Sequence, residues 1–214
     1  MTVSDMTELI IVRHGQTEWN RASRIQGYRD SALTDDGLAQ ARALAVRLAG
    51  ESFAALLSSD LGRAASTAGI IAEHTGHRVR LEPSLRERNY GVLEGLTREE
   101  FRLHSPDAAQ RYASRDPDFI IPGGESQREF VARVVAAFNA LADEFHGQRI
   151  VVVSHGGVLA ALHRHVADLP LDAPRTLPLP NAGYNIFIRS QGQWAMQRWG
   201  DTAHLDEQDV FSEV

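Results

Sequence analysis

The chain has 214 residues, 43% hydrophobic and 23% charged, which suits a single ordinary globular domain with a proper core. Its net charge of −6 excludes a general nucleic-acid surface, since no basic stripe can neutralise phosphates, yet leaves room for a small cationic pocket. The lack of cysteine removes disulfides, thiolate metal sites and cysteine nucleophiles together. The first seven residues, Met1 to Thr7, lack the basic and apolar regions of a signal peptide. No apolar run approaches the ~20 residues that span a bilayer. The expected location is the cytoplasm, with neither membrane nor nucleic acid as a partner.

Leu9-Ile10-Ile11-Val12 reads as a short buried strand that ends abruptly in Arg13-His14-Gly15, where glycine permits a sharp turn. Asn20 to Asp30 is polar and reads as a loop over the strand end. Thr34 is an expected N-cap, followed by Leu38, Ala41, Leu44, Ala45 and Leu48 at helical spacing up to Gly50. Phe53 to Leu57 is a second apolar run, ending in Ser58-Ser59-Asp60. A helix to about His74 follows, stopped by Gly76, and then a weak strand, Val79 to Leu81. This alternation predicts an α/β fold with a mostly parallel sheet.

From about 83 to 125 the period breaks, with short helical candidates at Arg98–Leu103 and Asp107–Ala113. The segment is expected to be a lid-like insertion of about 40 residues, too long for a plain loop. Phe130, Val131, Val134, Val135, Phe138, Leu141, Ala142 and Phe145 then share one helical face. Ile150 to Val153 is a buried strand running into Ser154-His155-Gly156-Gly157 and a helix to about Val166. Four prolines mark an irregular connection. Tyr184–Ile188 and Trp194–Arg198 predict a hairpin, and an acidic tail from Asp201 is expected to fray. The whole chain, 1–214, reads as one domain with an insertion.

Two buried strands thus end in the same way, in Arg13-His14-Gly15 and in Ser154-His155-Gly156. Parallel strands would bring both histidines to one sheet edge, the edge where open α/β sheets bind ligands. Arg63 sits just inside the helix after the second strand, where backbone N–H groups also favour anions. Glu87 and Glu94 lie in the irregular segment, either as solvated carboxylates or as a general acid beside a cationic pocket. Two arginines match phosphoryl oxygens bidentately. A neutral imidazole attacks phosphorus, a second imidazole, if protonated, stabilises the transferring group, and a carboxylic acid protonates the leaving alkoxide. The set fits phosphoryl transfer with no metal required.

The chain resembles the histidine phosphatase superfamily, the clan of cofactor-dependent phosphoglycerate mutases and related phosphatases. The matching pieces run in family order, from Arg13-His14-Gly15-Gln16-Thr17-Glu18-Trp19-Asn20 through Gln26-Gly27, Ser58-Ser59-Asp60-Leu61 with Arg63, Glu87 to Gly95 and Gly123-Gly124-Glu125-Ser126, to Ser154-His155-Gly156-Gly157. The resemblance implies a three-layer α/β/α sandwich. It implies His14 as the phosphorylated nucleophile and Glu87 as the proton donor. Arg13, Arg63 and His155 would complete the phosphate pocket, with Asn20 near the phosphate and Gln26-Gly27 meeting the substrate.

The short, cation-poor stretch Arg111 to Ser126 resembles the phosphatase branch more than the mutases, whose longer basic insertion helps to bind bisphosphoglycerate. Glu87-Arg88-Asn89-Tyr90-Gly91 is closer to the mutase version. The expectation is a metal-independent phosphomonoesterase acting on small phosphorylated metabolites, with no cofactor. The alternative is a phosphoglycerate mutase primed by 2,3-bisphosphoglycerate, and the resemblance also admits a homodimer. A metal hydrolase would need His163 with His165, or His74 with His77, but residues two apart on a helix point in different directions and the second pair straddles an expected helix end. A non-catalytic phosphate-binding protein would carry a degenerate pocket, whereas every core position is intact. Phe119, Ile120 and Ile121 read either as an apolar wall near the mouth or as core.

Overall fold

The structure, a computed structural model, describes residues 6–205. The absence of a signal sequence was read partly from residues 1–5 and the acidic tail partly from 206–214, which lie outside the described residues. The first apolar run forms strand β1 (Met6–Arg13), and Ile150 to Val153 form the centre of β4 (Arg149–Ser154). The two pair in parallel, with Val12 opposite Val153 and Arg13 opposite Ser154. Beyond β4 lie β2 (Ala55–Ser58) and then β3 (Val79–Leu81). On the other side of β1, β5 (Tyr184–Ser190) and β6 (Gln193–Asp201) complete the order β3-β2-β4-β1-β5-β6, in which only β5 runs against its neighbours.

Both faces of the sheet are covered, so its central strands are continuously apolar rather than alternating. Ile10, Val12, Val151 and Val153 point to one side, against Leu44 and Leu48 of α2 (Asp35–Ala49) and Ala64, Ala68 and Ile71 of α3 (Gly62–Thr75). Leu9, Ile11, Ile150 and Val152 point to the other, against Phe130, Val134 and Phe138 of α6 (Gln127–Glu144) and Val158 and Leu162 of α7 (Gly156–Val166). This is the three-layer α/β/α arrangement. Thr34 caps α2 through the Gly37 amide, 3.0 Å away. The β5–β6 turn is a two-residue loop with positive φ at Gln191 (49°) and Gly192 (77°), the twist that suits a tight hairpin. Among the described residues no helix is long and apolar enough to cross a membrane.

Three features differ from the sequence reading. The loop from Asn20 overlaps a one-turn helix, α1 (Glu18–Arg21), built by a capping box between Thr17 and Asn20. The tail does not fray at Asp201. Asp201 pairs with Arg47 of α2 at 2.8 Å, His204 bonds to Ala182 O, and Leu205 packs on the α2–α3 face, so the chain is docked through 205. In the irregular segment, α4 (Arg98–His104) and α5 (Pro106–Ala113) enclose a small core of their own, formed by Leu93, Phe101, Ala109, Phe119 and Ile121. Phe119 and Ile121 are thus core, whereas Ile120 is 56% exposed. Arg24 ties this lid to the loop after α1 through a bidentate pair with Glu100 (2.7 and 3.0 Å).

Candidate active site

The β1–β4 register carries His14 and His155 to adjacent strand ends, where their rings meet edge to face with centroids 5.3 Å apart. The backbone of His14 is held on both sides. Its N–H donates to Ser154 O at 3.0 Å, and its carbonyl accepts from Asn181 Nδ2 (3.0 Å) and the Ala182 amide (3.2 Å). Its Nδ1 lies 2.7 Å from Gly15 O. A carbonyl can only accept, so Nδ1 carries the proton and Nε2 keeps its lone pair. The Arg63 Nε–H donates to that nitrogen at 3.3 Å. Gly15 is needed for space rather than for a left-handed turn, since a Cβ there would lie 2.4 Å from Gly37 O.

Arg63 is buried, and its fork is fixed by Gly27 O (Nη2, 2.8 Å), Arg29 O and Asp30 Oδ1 (Nη1, both 3.0 Å). Desolvation lowers its pKa, against which Asp30 is the main compensating charge. Gly27 has φ 58°, and a Cβ on it would strike Glu94 Oε1 at 2.1 Å. Arg13 is buried, donates to Leu179 O and lies against Gly156. Asn20 has its Oδ1 engaged by the Thr17 amide and hydroxyl, which fixes its side chain at the cavity wall. Arg13, His14, Asn20, Gln26, Gly27, Arg63 and Glu87 all line one cavity of about 230 Å³.

The two candidate carboxylates separate. Glu87 reaches the cavity, with Oε2 accepting from Gly157 N and Oε1 from Arg88 N, each at 2.8 Å. A Cβ at position 157 would sit 2.1 Å from Glu87 Oε1, so the second glycine of the Gly156-Gly157 pair gives the carboxylate its place. Glu94 instead clamps the loop over the site, accepting from the amides of Tyr28, Arg29 and Tyr90. His155 is fully buried, with Nε2 2.8 Å from Ser59 Oγ and no hydrogen-bond partner for Nδ1 among the described residues. It is not part of the cavity wall and adjoins the site through the His14 ring. Burial, then the Arg63 charge, holds both imidazoles well below the usual histidine range. The second imidazole is therefore neutral in the unliganded protein, and only an arriving anion could favour its protonated form.

Several residues that build the site escaped sequence reasoning. Arg133, on α6, donates to the carbonyls of Ser84, Arg86 and Glu87 and pairs with Glu125, which fixes the backbone that carries Glu87. Its only sequence signal is a cation beside the apolar face of a helix. Asn181 has a signal no stronger than a polar residue near a turn, and Ser59 entered the sequence reading only as part of a matching segment, without a role. The histidines considered for a metal bond elsewhere: His74 Nδ1 lies 3.0 Å from Ile70 O and His77 Nε2 3.0 Å from Phe53 O. Among the described residues no group of three or more His, Asp or Glu side chains has the arrangement of a metal site.

A strand-end histidine whose Nε2 lone pair meets only an arginine donor, two buried arginines and a carboxylate in one cavity define a phosphoryl-handling α/β protein. The chain belongs to the histidine phosphatase superfamily (branch 1), whose pattern it matches over residues 9–202. It is 39% identical to phosphoglycerate mutase-like protein 4 of Arabidopsis thaliana, over 95% of this chain and 89% of that one. It is equally, 39%, identical to the metal-independent phosphoserine phosphatase of Arabidopsis thaliana, over 94% of this chain and 84% of that one. Among solved structures, Bacillus stearothermophilus YhfR superposes with a TM-score of 0.87 at 31% identity, covering 94% of this chain and all of that one. The protein is an enzyme of this superfamily, phosphatase or mutase-like.

Proposed function

We propose that the enzyme is a metal-independent phosphomonoesterase that hydrolyses small phosphorylated metabolites through a phosphohistidine at His14. The observation that carries this is the Nδ1–H bond to Gly15 O, which presents the Nε2 lone pair to a cavity also lined by Arg13, Arg63 and Glu87. A phosphoryl group entering this cavity takes the Arg63 Nε donor away from His14 and accepts further donors from Arg13 and Asn20. Nε2 then attacks phosphorus as the bond to the alcohol oxygen breaks, and protonated Glu87 gives its proton to the departing oxygen. Water attacks the phosphohistidine, Glu87 takes up its proton, and inorganic phosphate leaves. The permanent charges of Arg13 and Arg63 stabilise the transferring phosphoryl group without a metal, with His155 packed against the His14 ring. The name of the metal-independent phosphoserine phosphatase relative supports this reading.

The mutase reading draws on the Glu87–Gly91 segment and on the mutase-like relative. Against it, a larger cavity shares part of its lining with the catalytic one, room for the water that a hydrolase must admit. The deciding experiment is a product assay on 3-phosphoglycerate with and without 2,3-bisphosphoglycerate, beside other phosphomonoesters. Phosphate release that resists EDTA and disappears in His14→Ala is the expected result. Conversion to 2-phosphoglycerate with little phosphate released would make the protein a mutase.

A further inference from the structure

The catalytic cavity of about 230 Å³ has a larger neighbour, a cavity of about 580 Å³ between the lid and α7, and the two share Tyr90, Arg98, Tyr112 and Arg175 in their lining. That volume lies in the range of sites for molecules of drug size. A three-carbon phosphorylated acid would leave most of it as water. Its lining is aromatic on the lid side, where Tyr112 sits edge to face with both Phe101 (6.2 Å) and Tyr90 (6.4 Å) and Phe119 continues the wall. Such a surface favours a flat ring.

The charges of this outer cavity are unbalanced. Arg98, Arg102, Arg115 and Arg175 line it and, among the described residues, none meets a carboxylate. The one acid in the wall, Asp116, lies 3.7 Å from Arg111. On the α7 side Arg164, braced by Pro170 O (Nε, 2.9 Å) and Ala173 O (Nη2, 2.7 Å), lines the same cavity. Burial and the Arg115 charge together depress the Arg164 guanidinium. Arg115 and Arg164 thus line one cavity, the first from the lid and the second from the body, an arrangement that an anion between them would relieve.

We propose that the outer cavity receives the alcohol half of the substrate and selects phosphomonoesters whose alcohol carries a ring and, at its far end, a second anionic group bridging Arg115 of the lid and Arg164 of α7. This rests on the phosphatase reading above and names the substrate class of that site. The bridge would also give Arg115, which meets no carboxylate among the described residues, an acidic partner supplied by the substrate.

The test compares four alkyl phosphates with similar leaving groups: 4-carboxybenzyl phosphate (ring and anion), benzyl phosphate (ring alone), 3-phosphoglycerate (anion alone) and glycerol 2-phosphate (neither). Phosphate release is followed for each. The expected kcat/KM for 4-carboxybenzyl phosphate exceeds that for benzyl phosphate by about tenfold, the scale of one charge-assisted contact, and exceeds glycerol 2-phosphate further still. Arg115→Ala, or Arg164→Ala on α7 as the second variant, brings the two benzyl esters level. Arg115→Glu reverses the preference towards 4-(aminomethyl)benzyl phosphate. Equal efficiency on all four esters, or 3-phosphoglycerate as the best of them, overturns the proposal and leaves the phosphatase reading standing. A preference that persists unchanged in all three variants overturns the anion assignment. Release from none of the four fails the phosphatase reading itself, and the proposal falls with it.

Discussion

One carbonyl, Gly15 O, decides which nitrogen of His14 keeps its lone pair, and the proposed reaction follows from that choice. Replacing His14 by alanine is expected to abolish both phosphate release and the acid-labile phosphoryl label that a substrate leaves on the protein, read by phosphorus NMR or label transfer. Glu87 gives a more discriminating test. Glu87→Gln keeps the shape but cannot donate or take a proton, so turnover of alkyl phosphates should fall by about 10²–10⁴-fold. Release from 4-nitrophenyl phosphate, whose phenolate departs unprotonated, should fall far less in a single-turnover measurement. Equal losses on both would show that Glu87 positions rather than protonates. Gly27→Ala places a Cβ 2.1 Å from Glu94 Oε1 at a positive φ, and so shifts the carbonyl that orients Arg63. A raised KM for every phosphomonoester is expected, read in steady-state kinetics.

At the scale of elements, the site rests on two strands whose side chains are enclosed on both faces. Ile11 is fully buried between β1 and the α6–α7 layer, so Ile11→Ala should cost about 2–5 kcal/mol in urea unfolding. Val46 is 65% exposed on α2, and Val46→Ala should change the midpoint little. The same enclosure made the fold legible, because unbroken runs such as Ile150 to Val153 mark strands buried on both sides, and both His-Gly pairs followed directly from them. Helix α1 was not legible, since one turn has no period and its cause is the side-chain exchange between Thr17 and Asn20. Nor could the chain order separate Glu87 from Glu94. Only the space left by Gly157 gives the first its place in the cavity, while three amides claim the second. The docking of Asp201 depends on Arg47, a partner on a distant helix, which no local pattern announces.

For the whole molecule, the buried imidazoles set how stability varies with pH. Burial and Arg47 push His204 down to about 4, and His14 and His155 are also held below the usual range. The unfolded chain binds protons at these positions near pH 6.5, whereas the folded chain resists them. Stability is therefore full above about pH 6.5 and falls as pH drops towards 4. Asp201, held low by Arg47, adds a further loss below the usual carboxylate range. Urea midpoints at pH 7, 6 and 5 should decline in that order, and His204→Gln should flatten part of the slope. The constellation that handles phosphate is also gathered from remote parts of the chain. Arg63 reaches His14 over 49 residues, Ser59 meets His155 over 96, and Asn181 holds the His14 carbonyl over 167. Such pairings form only once most of the loop-closure entropy has been overcome. Catalysis should hence return late on refolding, in step with the global phase rather than with early helix signals, and nicking the chain between these segments should leave no fragment with fractional turnover.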